Sequence, residues 1–409
     1  MATVELLTAN QATARVLRLA RVQVIPIYPI TPQSAMLGDI ARDVQAGRLR
    51  CEFINMESDY AAMAAAIGAS LGGTRVFTAT NSQGLLFMAE HLYTASGSRC
   101  PVVMAVVNRG ISVPHTRYAD HNDALGVSRA GWIQVFCEDA QEVLETCLQL
   151  YKVCEDRRVR LPGMFCYESF IHSNTAEGVA VPDAAAVDRW LGPPQVEALL
   201  DPAEPRGLNP PTPPEWYTEF KHAEHLAMAR ALTVLPEVAA SYAETLGTIP
   251  RGLLDLTGGP KGCVVVTMGS MVKATRRAVK ELQRDGIAAG LCKVRVYRPF
   301  PAEALREALG EAEVVLTLDR NCAAGGYGVL YEEVRSALYG LPRVPRVLGV
   351  IGGLGGRDVT VAQIGDLVRR ALKRSSPFDG PDGTIHWLGL VPERVRDESP
   401  QFRPAARAS

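Results

Sequence analysis

Residues 1–180 alternate apolar runs of strand length with helical patterns, and nearly every run ends in polar residues. Residues 22–28 are apolar and β-branched, then break at Pro29-Ile30-Thr31-Pro32. Residues 51–56, 75–79 and 102–107 repeat the theme, the second of them after an Ala-rich stretch over 58–70 that reads as a helix. Short buried strands separated by helices predict a parallel sheet with both faces covered, because parallel neighbours need a crossover between them. In such sheets a ligand sits beyond the carboxyl ends of the strands. After the first strand, Thr31 is expected to cap a helix with Pro32 at its first position.

A stretch with eight prolines between Gly192 and Pro214 predicts an extended connector. Helical sequence follows over 216–246, with a break or kink expected at Pro236. A second α/β unit starts near Lys261, with strands expected at 263–268, 288–294, 314–319 and 346–351. The expected fold is α/β, two doubly wound parallel-sheet domains joined by a Pro-rich connector. The divisions are 1–190, a connector and helix over 191–260, a second domain over 261–375, and an irregular tail over 376–409 without assigned secondary structure. A length of 409 residues is consistent with two or three domains of about 150 residues.

Charge excludes some functions. Lys and Arg number 43 against 44 Asp and Glu, and this near-neutrality argues against a nucleic-acid platform or a polybasic membrane binder, both of which need concentrated positive charge. No apolar run approaches the ~18 residues of a membrane span, and the N-terminus lacks a signal-like core, so a soluble, cytoplasmic protein is expected. The nine cysteines are an odd number and form no C-x-x-C, which favours reduced buried thiols over a metal or cluster site on this chain.

Four polar segments fall at expected strand ends, and each has a structural and a functional reading. Tyr28-Pro29-Ile30-Thr31-Pro32-Gln33-Ser34 is either a capped turn or a ligand loop. Glu57 either stabilises the N-terminus of the Ala-rich helix or is a free carboxylate beside a site. Thr80-Asn81-Ser82-Gln83-Gly84 is a polar turn or a binding loop, and Arg109 forms a structural ion pair or binds a ligand carboxylate bidentately. His115 and His121, six residues apart, lack a metal-ligand pattern and read as polar loop groups. Ala323-Ala324-Gly325-Gly326-Tyr327-Gly328 is a weak phosphate-loop candidate, and Gly352-Gly353-Leu354-Gly355-Gly356 a Gly-rich turn.

Seven segments in order are together similar to the alpha subunits of the thiamine-diphosphate-dependent 2-oxoacid:ferredoxin (or other acceptor) oxidoreductases. They are Tyr28-Pro29-Ile30-Thr31-Pro32, Glu57 before the Ala-rich helix, Ser82-Gln83-Gly84-Leu85, Asn108-Arg109, Gly131-Trp132-Ile133-Gln134, Arg298-Pro299-Phe300-Pro301 and Gly353-Leu354-Gly355-Gly356-Arg357-Asp358. The resemblance runs from about residue 5 to residue 375. It implies a first domain that binds the cofactor's aminopyrimidine and a second that is transketolase C-terminal-like. Glu57 then matches the carboxylate that hydrogen-bonds the pyrimidine ring nitrogen, Ser82 and Gln83 match cofactor-binding positions, and Thr31 and Arg109 match the groups that hold the substrate's carbonyl and carboxylate. The implied reaction is oxidative decarboxylation of a 2-oxo acid to acyl-coenzyme A and carbon dioxide, with electrons passed to iron–sulfur clusters.

No Gly-Asp-Gly followed by Asn, as needed for magnesium diphosphate, and no cysteine run for [4Fe-4S] clusters is present. The resemblance therefore implies that thiamine diphosphate is shared with a beta subunit, that Mg2+ and clusters lie in partner subunits of beta, gamma and delta type, and that the chain alone is inactive. Ferredoxin or an NAD-reducing flavin subunit would take the electrons. Asp120-His121-Asn122-Asp123 is similar to the pyruvate enzymes, but Pro114-His115-Thr116-Arg117-Tyr118 departs from them, where more apolar residues are expected. His115, Arg117 and Tyr118 thus become candidate specificity residues, and the substrate is pyruvate or a larger acid such as the aromatic phenylglyoxylate. The alternatives are a non-catalytic scaffold subunit, which would not need Thr31, Glu57 and Arg109, and a component of a lipoamide-linked thiamine-dependent dehydrogenase.

Overall fold

Alternating side chains of each central strand enter two different apolar layers, as expected for strands covered on both faces. The computed structural model describes residues 2–373, 385–391 and 394. In the strand Val103–Asn108, Val103, Ala105 and Val107 pack into one layer while Met104 and Val106 pack into the other. Cys263 and Val265 against Val264 and Val266 do the same in the strand Cys263–Thr267. Burial on both faces leaves no polar alternation in such strands, so they read as continuous apolar runs.

The first sheet has the order Val296–Arg298, Ile133–Phe136, Gly163–Glu168, Val103–Asn108, Phe77–Thr80. The last four are parallel to one another, and a parallel pair, Val24–Ile27 with Glu52–Asn55, adjoins it through a bridge from Val24 to Val76. Its first strand, Val296–Arg298, arrives from the second half of the chain and runs antiparallel to Ile133–Phe136. The second sheet has the order Ile385–Trp387, Arg346–Ile351, Val314–Asp319, Cys263–Thr267, Ala289–Val294, Leu254–Gly258, and only the last, which begins ahead of residue 261, is antiparallel. Residues 193–213 carry no helix and lie largely exposed, the extended connector that their prolines impose.

Three expectations are corrected. The helix Pro214–Leu246 runs unbroken through Pro236. A mid-helix proline removes one hydrogen bond, but Ala231, Val234, Leu235, Val238, Ala239 and Tyr242 are all buried around it, and that packing holds the helix on both sides. Thr31 is not a cap, because the helix starts at Ser34 and Gln33 before it has helical angles with no side-chain capping bond. The segment assigned as an irregular tail contributes the three-residue strand Ile385–Trp387. Three residues are too short for a periodic signal, and its fit depends on Gly349, where an added Cβ would lie 2.6 Å from Ile385 Cδ1. The rest of 376–409, apart from residues 385–391 and 394, lies outside the described residues.

A buried ionic cluster joins the two halves. Glu142, on the helix Ala140–Glu155, accepts from Lys293 Nζ at 2.6 Å and Arg295 Nε at 3.0 Å, and all three side chains are at most 2% exposed. Arg276 pairs with Glu138 at 3.0 Å, and Glu142 also accepts from the Glu138 backbone N–H at 2.7 Å. Burial alone would raise the Glu142 pKa, but Lys293, Arg295 and Arg251 outweigh it and hold the carboxyl at about 2. Removing one member of a buried cluster leaves unpaired charge, which costs about 3–5 kcal/mol. Glu142→Gln is therefore expected to lower the thermal midpoint of the full chain. Because the folded pKa is depressed, this contribution is present above the ordinary carboxylate value of 4.5 and is lost as pH falls toward 2. The destabilisation by Glu142→Gln, measured at a series of pH values, should shrink across that interval, and a pH-independent difference would contradict the assignment.

Candidate active site

The carboxyl ends of the strands Phe77–Thr80 and Val103–Asn108 are fastened by one buried carboxylate. Asp123 accepts from the Ser82 backbone N–H at 3.0 Å, the Arg109 backbone N–H at 3.1 Å and Asn108 Nδ2 at 2.7 Å. Burial pushes its carboxyl pKa up against the pull of those bonds. Ser82 takes a positive φ of 49° in this turn, and its hydroxyl donates to the Gly110 carbonyl at 2.7 Å. Asp59, in the first turn of the helix Asp59–Leu71, accepts from Thr80 Oγ1 at 2.7 Å and lies so near Gly84 that an added Cβ would stand 2.5 Å from its Oδ2. The absence of a side chain at Gly84 lets the helix dock on the strand end.

Arg109 is 7% exposed. Its Nη1 donates to the Thr31 carbonyl at 2.5 Å, its Nη2 lies 3.4 Å from Gln83 Oε1, and its buried Nε has no partner among the described residues. No carboxylate is in ion-pair contact with it among the described residues. Burial lowers its pKa, while Asp123 and Asp59 act in the opposite direction. Gln33 completes the same rim, its Nε2 donating to the Tyr28 carbonyl at 3.0 Å and the Ala79 carbonyl at 2.8 Å. Thr31, Ser82, Gln83 and Arg109, distant in sequence, thus meet at one set of strand ends.

Glu57 follows the strand Glu52–Asn55, and the Met56 backbone N–H donates to the Ile27 carbonyl at 2.9 Å, which sets Glu57 beside the loop that carries Thr31. It does not cap the helix. Ser58 does, its Oγ accepting from the Ala61 backbone N–H at 3.1 Å. Glu57 is exposed, and its carboxylate engages no described residue.

The loop after Gly110 returns to the same rim. The Gly110 backbone N–H donates to the Tyr118 carbonyl at 3.1 Å, Ser169 Oγ donates to the Arg117 carbonyl at 2.5 Å, and the Gly356 N–H donates to the Ala119 carbonyl at 2.9 Å. The Tyr118 ring stands 5.0 Å from the Phe170 ring, and the Arg117 guanidinium lies 5.9 Å from the same ring centre. His115, Arg117 and Tyr118 are all exposed, with His115 Nδ1 2.8 Å from Ser112 Oγ.

Beneath the loop lies a group that sequence reasoning missed. Glu168, at the end of the strand Gly163–Glu168, is 1% exposed and accepts from His121 Nε2 at 2.7 Å. It also accepts from the Ser270 backbone N–H at 3.1 and 3.2 Å, at the start of the helix Met271–Arg284, and Arg320 Nε lies 3.6 Å away. Burial acts to raise its pKa, but Arg320 and His121 overcome it and hold the carboxyl well below the usual range. Of the two histidines read as loop groups, only His115 is one; His121 is fully buried. Glu168 looks from sequence like the last residue of a buried strand, and only the adjacent Ser169 marks a turn.

The helix start that follows the Gly-rich segment 323–328 has its first N–H groups already engaged. The backbone N–H groups of Leu330 and Tyr331 are taken by Asp319 at 2.8 and 3.2 Å, and that of Val329 by Asn321 at 2.8 Å. The turn at 352–356 grips the loop instead: a Cβ at Gly356 would lie 2.7 Å from Tyr118 Cβ. Among the described residues no three His, Cys, Asp or Glu side chains are grouped to hold a metal ion, and no helix is long and apolar enough to cross a membrane.

A family model described as pyruvate flavodoxin/ferredoxin oxidoreductase, thiamine diphosphate-binding, matches residues 15–240, and one described as pyruvate:ferredoxin oxidoreductase core domain II matches residues 262–364. The chain is 39% identical to pyruvate synthase subunit PorA of Methanothermobacter thermautotrophicus over 95% of its own length and 99% of that protein. It is 34% identical to the alpha subunit of NADH-dependent phenylglyoxylate dehydrogenase of Aromatoleum evansii, over 87% and 88% of the two chains. Its fold is similar to that of 2-oxoglutarate:ferredoxin oxidoreductase from Magnetococcus marinus, with a TM-score of 0.72 and 16% identity, covering 90% of this chain and 65% of that one.

Arg109→Lys retains the charge but cannot reach both the Thr31 carbonyl and a ligand carboxylate with one planar fork. It is expected to weaken capture of a small carboxylate, with pyruvate as the probe and calorimetry of the assembled complex as the measurement. A loss of about tenfold or more fits a charge-assisted bond worth roughly 1.5–3 kcal/mol. Unchanged affinity would return Arg109 to a purely structural role.

Proposed function

Since the chain belongs to the pyruvate flavodoxin/ferredoxin oxidoreductase family, we propose that it works as the alpha subunit of a 2-oxo acid oxidoreductase that forms acyl-coenzyme A and carbon dioxide. The observation that carries this reading is the meeting of Thr31, Gln83 and Arg109 at the strand ends, with a guanidinium in ion-pair contact with no carboxylate among the described residues. Pyruvate and phenylglyoxylate are named for its relatives, and both present a carboxylate beside a carbonyl.

The residues suit thiamine diphosphate on two counts. Glu57 is an uncommitted carboxylate at the rim, and buried polar atoms of Asn81, Gln33 and Arg109 beside it have no partner among the described residues. Leaving such atoms unsatisfied costs about 1–3 kcal/mol each, so a polar ligand is favoured there. When bound, thiamine diphosphate supplies a carbon nucleophile for the 2-oxo group. Glu57 would hold the pyrimidine ring nitrogen, and Ser82 and Gln83 would border the ring. Arg109 holds the substrate carboxylate, and the Thr31 hydroxyl, exposed at the rim, donates to the carbonyl oxygen. The two N–H bonds to Asp123 fix the backbones of Ser82 and Arg109, so neither group reorganises when substrate enters.

Magnesium diphosphate and [4Fe-4S] clusters are proposed to lie on partner subunits of beta, gamma and delta type, with ferredoxin or a flavin subunit that reduces NAD as the electron acceptor. Turnover then requires the complex, and copurification of iron–sulfur subunits rather than a lipoyl protein separates this reading from a lipoamide-linked dehydrogenase. In the assembled complex Glu57→Ala is expected to reduce kcat by about 10²–10⁴-fold, the usual share of a positioned acid–base group, while subunit composition is retained. Near-normal turnover with full cofactor occupancy would remove Glu57 from the mechanism.

A further inference from the structure

The rim around Arg109 has a second cation to which the reaction assigns no role. Arg117 lies in the loop that follows Gly110. Its carbonyl is held by Ser169, and the next carbonyl, that of Tyr118, is held by Gly110, the residue after Arg109. The loop therefore folds back on the strand end that bears Arg109. The Arg117 guanidinium rests near the Phe170 ring, is exposed, and pairs with no carboxylate among the described residues. It is close enough to Arg109 to weigh against that residue's charge. The carboxylates near Arg109 do not relieve this: Asp123 is engaged by the N–H groups of Ser82, Arg109, Ala124 and Asn108, and Asp59 accepts from Thr80. Arg109 itself is 93% buried and keeps an unpartnered Nε. The Gly110–Tyr118 bond joins the two segments that bear these guanidinium groups, and among the described residues no carboxylate is in ion-pair contact with either.

Resting on the reading of this chain as a 2-oxo acid oxidoreductase subunit, we propose that Arg117 binds a second carboxylate at the far end of the substrate. The pocket then favours a 2-oxo diacid over a monoacid of the same length. Arg109 takes the carboxylate next to the carbonyl and Arg117 the distal one, and a dianion neutralises two cations that otherwise repel each other. A planar fork discriminates by charge and geometry, which apolar residues at 115–118 could do only weakly, by bulk.

The test compares 2-oxoglutarate with 2-oxovalerate, which has the same five-carbon chain without the second carboxylate. Pyruvate and phenylglyoxylate serve as references, in the complete complex. The readouts are kcat/KM for each acid, its dissociation constant by calorimetry without coenzyme A, and KM for coenzyme A. The expected result is a preference for 2-oxoglutarate over 2-oxovalerate of about tenfold or more in both turnover and binding. Arg117→Gln should abolish the preference and Arg117→Lys should retain part of it. Equal use of the two acids, or a ratio unmoved by Arg117→Gln, overturns the proposal, and continued turnover of pyruvate shows that the broader reading survives. A change confined to KM for coenzyme A moves Arg117 to the cosubstrate's phosphates and likewise overturns it. Failure to bind or turn over any of the four acids removes both readings.

Discussion

The backbones of Ser82 and Arg109 at the rim are positioned through one buried carboxylate at the junction of the two sheets. Glu168 ends a strand of the first sheet, yet its oxygens accept from the N–H that opens a helix of the second. A bare carboxylate in that position would be strongly disfavoured, since desolvation of an ion costs several kcal/mol. His121, Arg320 and the positive end of the helix macrodipole compensate together. Gly269 makes the approach possible: it has a φ of 67°, and a Cβ there would stand 2.4 Å from Glu168 Oε1. Because His121 begins the polypeptide turn that leads to Asp123, the same contact that docks the domains also sets the residue that fixes Ser82 and Arg109.

Charge is distributed unevenly between structure and site. Several buried ions are paired closely: Arg75 with Glu155 at 2.6 Å, Glu142 with Lys293 and Arg295, Glu168 with His121. At the rim the pairing stops. Glu57 and Arg117 have no oppositely charged contact among the described residues, and Arg109 spends its donors on a carbonyl and an amide.

The strands were legible because a run buried on both faces has nothing polar to interrupt it, and the polar residues that end it mark where a ligand belongs. Thr31, Glu57, Ser82, Gln83 and Arg109 all stand at such ends, and their assigned roles remain proposals. Long-range partners were not legible. Nothing local in Arg320 announces that it serves a glutamate about 150 residues earlier, and Glu142 reads as an ordinary first-turn acid of its helix although it sits between two cations from the other domain. Thr31 misled for a related reason: Thr-Pro has the local form of a capped start, but here the carbonyl that matters faces Arg109. Pro236 misled because helix propensity is a weak local term against a face that is buried on both sides of it, from Ala227 to Ala243.

The strand Val296–Arg298 has a topological consequence. It leaves the second sheet after Val294, completes the edge of the first sheet beside Ile133–Phe136, and returns through Pro299 and Pro301 to the helix Ala302–Leu309. The halves are thus laced together by the chain itself, not merely joined by a tether. Severing the exposed connector would free neither half: the amino-terminal piece would lose its edge and the cations of Glu142, and the carboxyl-terminal piece would expose a strand with no sheet. Recombination that exchanged its second domain with that of a relative would have to carry across a matching edge strand, or forfeit the first domain as well.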